Sequence, residues 1–306
     1  MRNAIATGLT ELAERDERIV LLTGDLGFTV LERFAERHPQ RFFNVGVAEQ
    51  NMVGLATGLA EAGFVPFVYS IASFAALRPY EFIRNGPALH RLPVRIVAVG
   101  SGIDYGHNGV THFALEDVGL MRIQPEITTI VPADRDQARA ALAAIATLER
   151  PVYLRVARQG APVPGLDGAF ELGRINLLRE GGDVALVALG PEAHTALAAA
   201  ALLEPEGVEA SVAVVSSFNP SPEEDLRSVL SGVPLVVTIE GHYRSGGLGS
   251  WVSEVVTDSG LGTRVSRVGV GSMPHALTGS EAFLAERLGL SPAAIVDAAH
   301  AGLRSL

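Results

Sequence analysis

Few positions in this chain could do chemistry, and they fall between residues 49 and 158. Glu49 sits in FNVGVAEQNMVGLATGLAEAGFVPFVYS (43–70) where a strand-like run gives way to small and apolar residues, and the next carboxylate, Glu61, comes twelve positions later. Further on come Phe74 in YSIASFAAL, then His107, Asn108 and His112 in GHNGVTH, and Arg158 in ARQG. An isolated carboxyl group among apolar neighbours either complements a helix dipole from solvent or, where water is excluded, holds or moves a proton. Two histidines in a polar loop, without a supporting carboxylate pattern, are a weak metal signal. The cysteine count is zero, which removes thiolate chemistry and disulfides and fits a cytoplasmic protein.

These residues need a scaffold, and the hydrophobic pattern supplies one. The 306 residues are 48% hydrophobic, with 33 glycines and 17 prolines, enough for two domains with cores of their own. No stretch approaches the roughly 20 apolar residues of a membrane span. The formal charge is −10 and no Lys/Arg cluster stands out, which argues against nucleic acid as a partner. Apolar strand-length runs alternate with helical-period segments: RIVLLTGD (18–25), TVLERFAERH (29–38), RFFNVGV (41–47), GFVPFVYS (63–70), a helix over 73–85 despite Pro79, LPVRIVAVG (92–100), ITTIVP (127–132), a helix over 134–148 and RPVYLRV (150–156). Strands apolar on both faces and separated by helices predict a parallel sheet covered on both sides. The rhythm breaks in the Gly- and Pro-rich ARQGAPVPGLDGAFELGRI (157–175) and resumes at DVALVALG (183–190). The expected fold class is α/β, two doubly wound domains with mainly parallel sheets, at 1–160 and 181–306, joined by a linker at 161–180. In the second domain Ser221 is the expected cap of the helix SPEEDLRSVL. Around Glu49, Met52, Val53, Leu55, Ala56, Leu59 and Ala60 fall at helical spacing. Gly54 and Gly58 share one face of that helix, where another backbone can come close. Glu49 then lies in the first turn, beyond the C-terminal end of a strand, where open parallel sheets bind ligands.

NVGVAEQNMVGLATGLA resembles the glutamate motif of the thiamine-diphosphate enzymes of the transketolase family. The likeness continues through PFVYSIASFAALRPYEFIRN, GHNGVTHFALEDVGLMRIQPEITTIVPAD and PVYLRVARQG to TIEGHYRSGGLGSWVSEVV, and covers essentially the whole chain. It is to the C-terminal section of a split transketolase. In that family a glutamate hydrogen-bonds the pyrimidine N1′ and drives the ring toward its imino form, whose nitrogen removes the thiazolium proton. The resemblance implies that Glu49 is this catalytic and cofactor-binding glutamate and that Phe74 stacks on the pyrimidine. It further implies that His112 contacts substrate or handles a proton, and that Arg158 holds a substrate phosphate with its planar fork. For Phe74 an ordinary core position is the alternative, and for Arg158 a surface one.

The sequence also departs from the family. Gly-Glu-Asp-Gly is replaced by GHNG (106–109), so Asn108 stands where an aspartate contacts the donor hydroxyl. Asparagine keeps the hydrogen bonding and loses the charge. Another substrate-touching histidine aligns with Gly100 or Ser101. Both changes predict retained thiamine chemistry on an altered donor or acceptor. The Gly-Asp-Gly and Asn-Asn motifs that hold the diphosphate and its Mg²⁺ or Ca²⁺ are absent; TGDLG (23–27) is the nearest approach. The resemblance therefore implies a separate diphosphate-binding subunit that carries the metal, in an α2β2 assembly with the cofactor at the interface. The alternatives are the beta subunit of a 2-oxo acid dehydrogenase first component and a catalytically silent partner subunit.

Overall fold

A computed structural model describes all residues from Met1 to Leu306. The first half contributes strands β1 (Ile19–Thr23), β2 (Phe42–Asn44), β3 (Val65–Ile71), β4 (Arg95–Val99), β5 (Thr128–Ile130) and β6 (Val152–Val156). The second contributes β7 (Ile175–Arg179), β8 (Val184–Leu189), β9 (Ala210–Val215), β10 (Ser217–Phe218), β11 (Leu235–Tyr243) and β12 (Arg264–Val270). They form a seven-stranded sheet in the order β10-β5-β6-β4-β3-β1-β2 and a five-stranded sheet in the order β12-β11-β8-β9-β7. All pairings are parallel except β10 with β5 and β7 with β9, one edge strand in each sheet. β1, β4, β6, β8 and β9 are buried along their full length, which is why they read as unbroken apolar runs. The two-domain, mainly parallel α/β architecture is the one expected.

Several local expectations are corrected. The segment read as linker to residue 180 ends in a strand, β7, whose INLLR is only partly buried because it is the antiparallel sheet edge. Residues 73–85 are not one helix. Ala72–Leu77 stops before Pro79, a short turn Tyr80–Ile83 restarts, and a π-helical turn Arg84–Ala88 contains Pro87. Ser221 does not cap the following helix: Pro222 occupies the cap of Glu223–Val229 with no side-chain bond, and three acids in the first turn face the helix dipole instead.

The two halves are interlocked. β10 belongs to the second half by sequence and to the first sheet by pairing. Next to it the Asn219 amide donates to the carbonyls of Arg122, Gln124 and Ile127. Ile103, Phe113 and Leu115, at the ends of the GHNG loop, pack in one cluster with Val184, Leu186 and Ile239 of the second sheet. The second domain thus forms the floor beneath the loop that bears Asn108 and His112.

Candidate functional site

Every residue singled out for chemistry follows the C-terminal end of a parallel strand of the seven-stranded sheet. Glu49 follows β2, Phe74 follows β3, Asn108 and His112 follow β4, and Arg158 follows β6. This is the sheet edge at which a parallel α/β fold gathers side chains on a common side.

Glu49 is the first residue of the helix Glu49–Glu61 and is 1% exposed. Its Oε1 accepts a hydrogen bond from Ser70 Oγ at 3.1 Å, and its Oε2 pairs with Arg78 Nη1 at 2.7 Å. Solvent is therefore not what satisfies this carboxylate. Arg78 continues along the site: its guanidinium carbon lies 3.9 Å from the Phe74 ring centroid. Phe74 in turn meets the His112 ring edge-on, at 5.1 Å between centroids. His112 Nδ1 is 2.9 Å from Thr111 Oγ1.

The next neighbour of His112 is Tyr105, 6.1 Å away ring to ring. Gly100 explains how Tyr105 fits. With φ +94° Gly100 adopts a conformation that suits glycine, and a Cβ there would lie 2.2 Å from Tyr105 Cε2. The Tyr105 ring carries the Arg158 guanidinium at 4.8 Å. Arg158 is held by Asp104, whose Oδ2 accepts its backbone N–H at 2.8 Å and whose carbonyl accepts Nη1 at 3.2 Å. Burial pushes the Asp104 carboxyl up to about 6. Glu49, Phe74, His112 and Arg158 thus form one row joined by Arg78 and Tyr105. Asn108 sits exposed on the turn Gly106–Asn108 and is not part of the packed row.

Three features of the site were missed in the sequence. Arg78 had no signal, because an arginine before Pro79 at a helix end reads as a surface residue. Tyr105 is legible only once Gly100 is seen beneath it. The third is a cavity of 560 Å³ beside Arg158, lined also by Arg2, Arg135 and Gln159; these arginines lie far apart in the sequence. The expected close approach at Gly54 and Gly58 is absent within the chain. A Cβ at Gly58 would meet nothing within 4 Å, and one at Gly54 only Phe82. That helix face is open, with Leu55 and Phe82 exposed beside it.

Fold and site together define a two-domain α/β chain with a buried carboxylate, and a phenylalanine covered by Arg78, at the C-terminal mouth of a parallel sheet. Residues 1–164 match the family model of the transketolase pyrimidine binding domain, and residues 173–295 that of the transketolase C-terminal domain. The chain belongs to the transketolase family. It is 37% identical over 274 residues to a putative transketolase C-terminal section of Methanocaldococcus jannaschii, covering 88% of this chain and 86% of that one. It is also 37% identical over 302 residues to the 6-deoxy-6-sulfo-D-fructose transketolase subunit SqwH of a Clostridium species, covering 98% and 93%. Among solved structures, a split gene transketolase described as an inactive beta4 tetramer superposes with TM-score 0.90 and 40% identity over 99% of this chain and 98% of that one. The relatives are named as transketolase sections or subunits, and the chain is accordingly a transketolase-type transferase subunit.

Proposed function

We propose that this chain is the pyrimidine-side subunit of a thiamine-diphosphate-dependent enzyme that moves a two-carbon ketol or acyl unit from a keto donor to a carbonyl acceptor. The observation that carries the reading is Glu49: a carboxylate 1% exposed at the first turn of a helix, joined through Arg78 to the ring of Phe74. The planar guanidinium of Arg78 spans these two groups, and a planar heteroaromatic ring in its place would stack on Phe74 and make an edge hydrogen bond to the carboxylate. When bound, thiamine diphosphate supplies the carbon nucleophile that takes up and releases the two-carbon unit. The chain's own residues have the other tasks. Glu49 holds a proton at the pyrimidine edge, and Phe74 fixes the plane of the ring. His112, in contact with Phe74, hydrogen-bonds the reacting oxygen, and Asn108 contacts a donor hydroxyl without adding charge.

The cavity of Arg2, Arg135 and Arg158 suits an anionic end of the substrate, a phosphate or sulfonate. The name of the Clostridium relative, a sulfofructose transketolase subunit, supports an anionic sugar other than the common ketose phosphates. A separate subunit supplies the diphosphate site and its Mg²⁺ or Ca²⁺, in an α2β2 complex. The open Gly54–Gly58 face and the exposed Leu55 and Phe82 support an interface next to Glu49. The inactive beta4 state given for the solved relative supports the expectation that this chain alone is inactive.

The test is to recover the tagged chain from its native host and examine the complex by native mass spectrometry with thiamine diphosphate and Mg²⁺. A second chain bearing Gly-Asp-Gly and Asn-Asn, with cofactor retained only in the mixed complex, is the expected result. A homo-oligomer that retains no cofactor, with no such partner recovered, would overturn the reading.

A further inference from the structure

The two groups that the proposed function assigns to one bound ring, the Glu49 carboxylate and the Phe74 face, are both engaged by a single side chain of the protein itself. Arg78 Nη1 lies 2.7 Å from Glu49 Oε2, and Arg78 Cζ lies 3.9 Å from the Phe74 centroid. A guanidinium at that height is in stacking contact, so no second planar group can lie on the same side of the ring while it is there. The other Glu49 oxygen is already taken by Ser70 Oγ, which leaves the oxygen facing Arg78 as the one a ligand would use.

The two partners are unequally fixed. The Glu49 side chain is 1% exposed and anchored at the start of a thirteen-residue helix, whereas the Arg78 side chain is 40% exposed. Arg78 also precedes Pro79, where the helix Ala72–Leu77 has ended and a new turn begins at Tyr80. Its backbone is therefore set by its neighbours, while its long side chain has a path to solvent.

We infer that Arg78 is a place-holder in the cofactor site: it neutralises Glu49 and covers Phe74 until a neutral planar heteroaromatic ring takes both contacts, and it then swings out toward solvent. This rests on the thiamine reading above. A buried carboxylate without a partner is costly, so a site designed around one needs a counter-charge before its ligand arrives. A guanidinium supplies the charge and, being planar, also occupies the stacking face. The arrangement has a thermodynamic consequence. Apparent cofactor affinity is lowered by the fraction of molecules in which Arg78 still holds the site.

The test is the affinity of thiamine diphosphate for the assembled complex, by isothermal titration calorimetry in Mg²⁺, for the wild type, Arg78→Met and Arg78→Lys. Methionine keeps apolar bulk on Phe74 but gives up the ion pair; lysine keeps the charge and loses the plane. A partly exposed ion pair is a weak competitor, so Arg78→Met is expected to bind the cofactor about threefold to tenfold more tightly, with Arg78→Lys in between. Thermal melting of the same samples reads out folding independently. Unchanged affinity in a folded Arg78→Met complex would overturn the inference. Weaker binding would also overturn it, by making Arg78 a ligand of the bound state. A wild-type complex that binds no thiamine diphosphate would overturn the thiamine reading itself and this inference with it.

Discussion

Removing the carboxylate of Asp117 should unfold this protein far more readily than its position near a surface loop suggests. Asp117 and Arg155 are each 1% exposed and joined by a bond of 2.8 Å between Nε and Oδ2. Tyr153 donates its hydroxyl to the same oxygen at 2.8 Å, and Arg155 Nη2 reaches the carbonyl of Ala114 at 2.7 Å. The cluster thereby ties β6 to the end of the loop that carries His112. Asp117→Leu leaves a buried guanidinium without its counter-charge, which costs about 3–5 kcal/mol. At roughly 2–4 °C per kcal/mol for chains of a few hundred residues, the midpoint should drop by about 10 °C. Arg155→Met should cost a similar amount. The double variant leaves no unpaired charge, only the Ala114 carbonyl and the Tyr153 hydroxyl, and should be less destabilised than the sum of the singles by about 2 kcal/mol or more. Urea melts of all four proteins at pH 7 close the cycle. Additive losses, or a loss under about 1 kcal/mol for Asp117→Leu, would refute the claim that this pair is a desolvated clamp.

Other expectations follow from single sites. Arg95 is buried without any carboxylate and donates to the carbonyls of Ile145, Leu148 and Arg150, so Arg95→Met should cost about 3 kcal/mol or more in urea melts. A loss of a few tenths would show that the turn closes without it. Burial pushes the Glu240 carboxyl up to about 8, with Arg267, Arg122 and the neutral His242 as its charged or titratable neighbours. Its proton is held more tightly in the folded chain, so ionising it at rising pH costs stability. His242, lowered to about 4 by burial, acts in the opposite sense only between about 4 and 6.5. Stability should therefore fall from pH 7 to 8 by about 1 kcal/mol, and Glu240→Gln should flatten that slope; parallel profiles would contradict it. A Cβ added at Gly58 meets nothing within 4 Å, so Gly58→Leu should stabilise the isolated chain by up to about 1 kcal/mol while weakening assembly in native mass spectrometry. Undiminished assembly would place the interface elsewhere.

The sequence was most informative where burial is uniform. β1, β4, β6, β8 and β9 were legible because both of their faces are covered, and Glu49 stood out as the one charge between the run FFNVGV and the apolar stripe of the helix that follows it. Long-range closure was much harder to see. β10 has two residues and gains its identity only by pairing with β5, some ninety positions earlier. β7 follows a Gly- and Pro-rich stretch, and its partial burial blurs the alternation. Ser221 matched the cap preference, but Pro222 moved the helix start and left its hydroxyl aside. The helix Pro292–Leu303 did carry a start signal, Ser291 followed by proline. At the candidate site, the linear motifs singled out Glu49, Phe74, His112 and Arg158 but not what joins them. Arg78 and Tyr105 become meaningful only through distances of 3.9 and 4.8 Å to groups on other elements. Glu240 and His242 had no visible role, and both prove to be buried, in a strand whose last residue, Tyr243, bonds to the carbonyl of Leu115 in the first half.

The central claim is that Glu49 controls a proton of the bound cofactor. The most direct measurement is hydrogen–deuterium exchange at C2 of thiamine diphosphate in the assembled complex, quenched in acid and read by NMR, for the wild type and Glu49→Gln. The account predicts exchange slowed by about 10²-fold or more in Glu49→Gln while the cofactor stays bound. Equal exchange rates with the cofactor bound in both would contradict it.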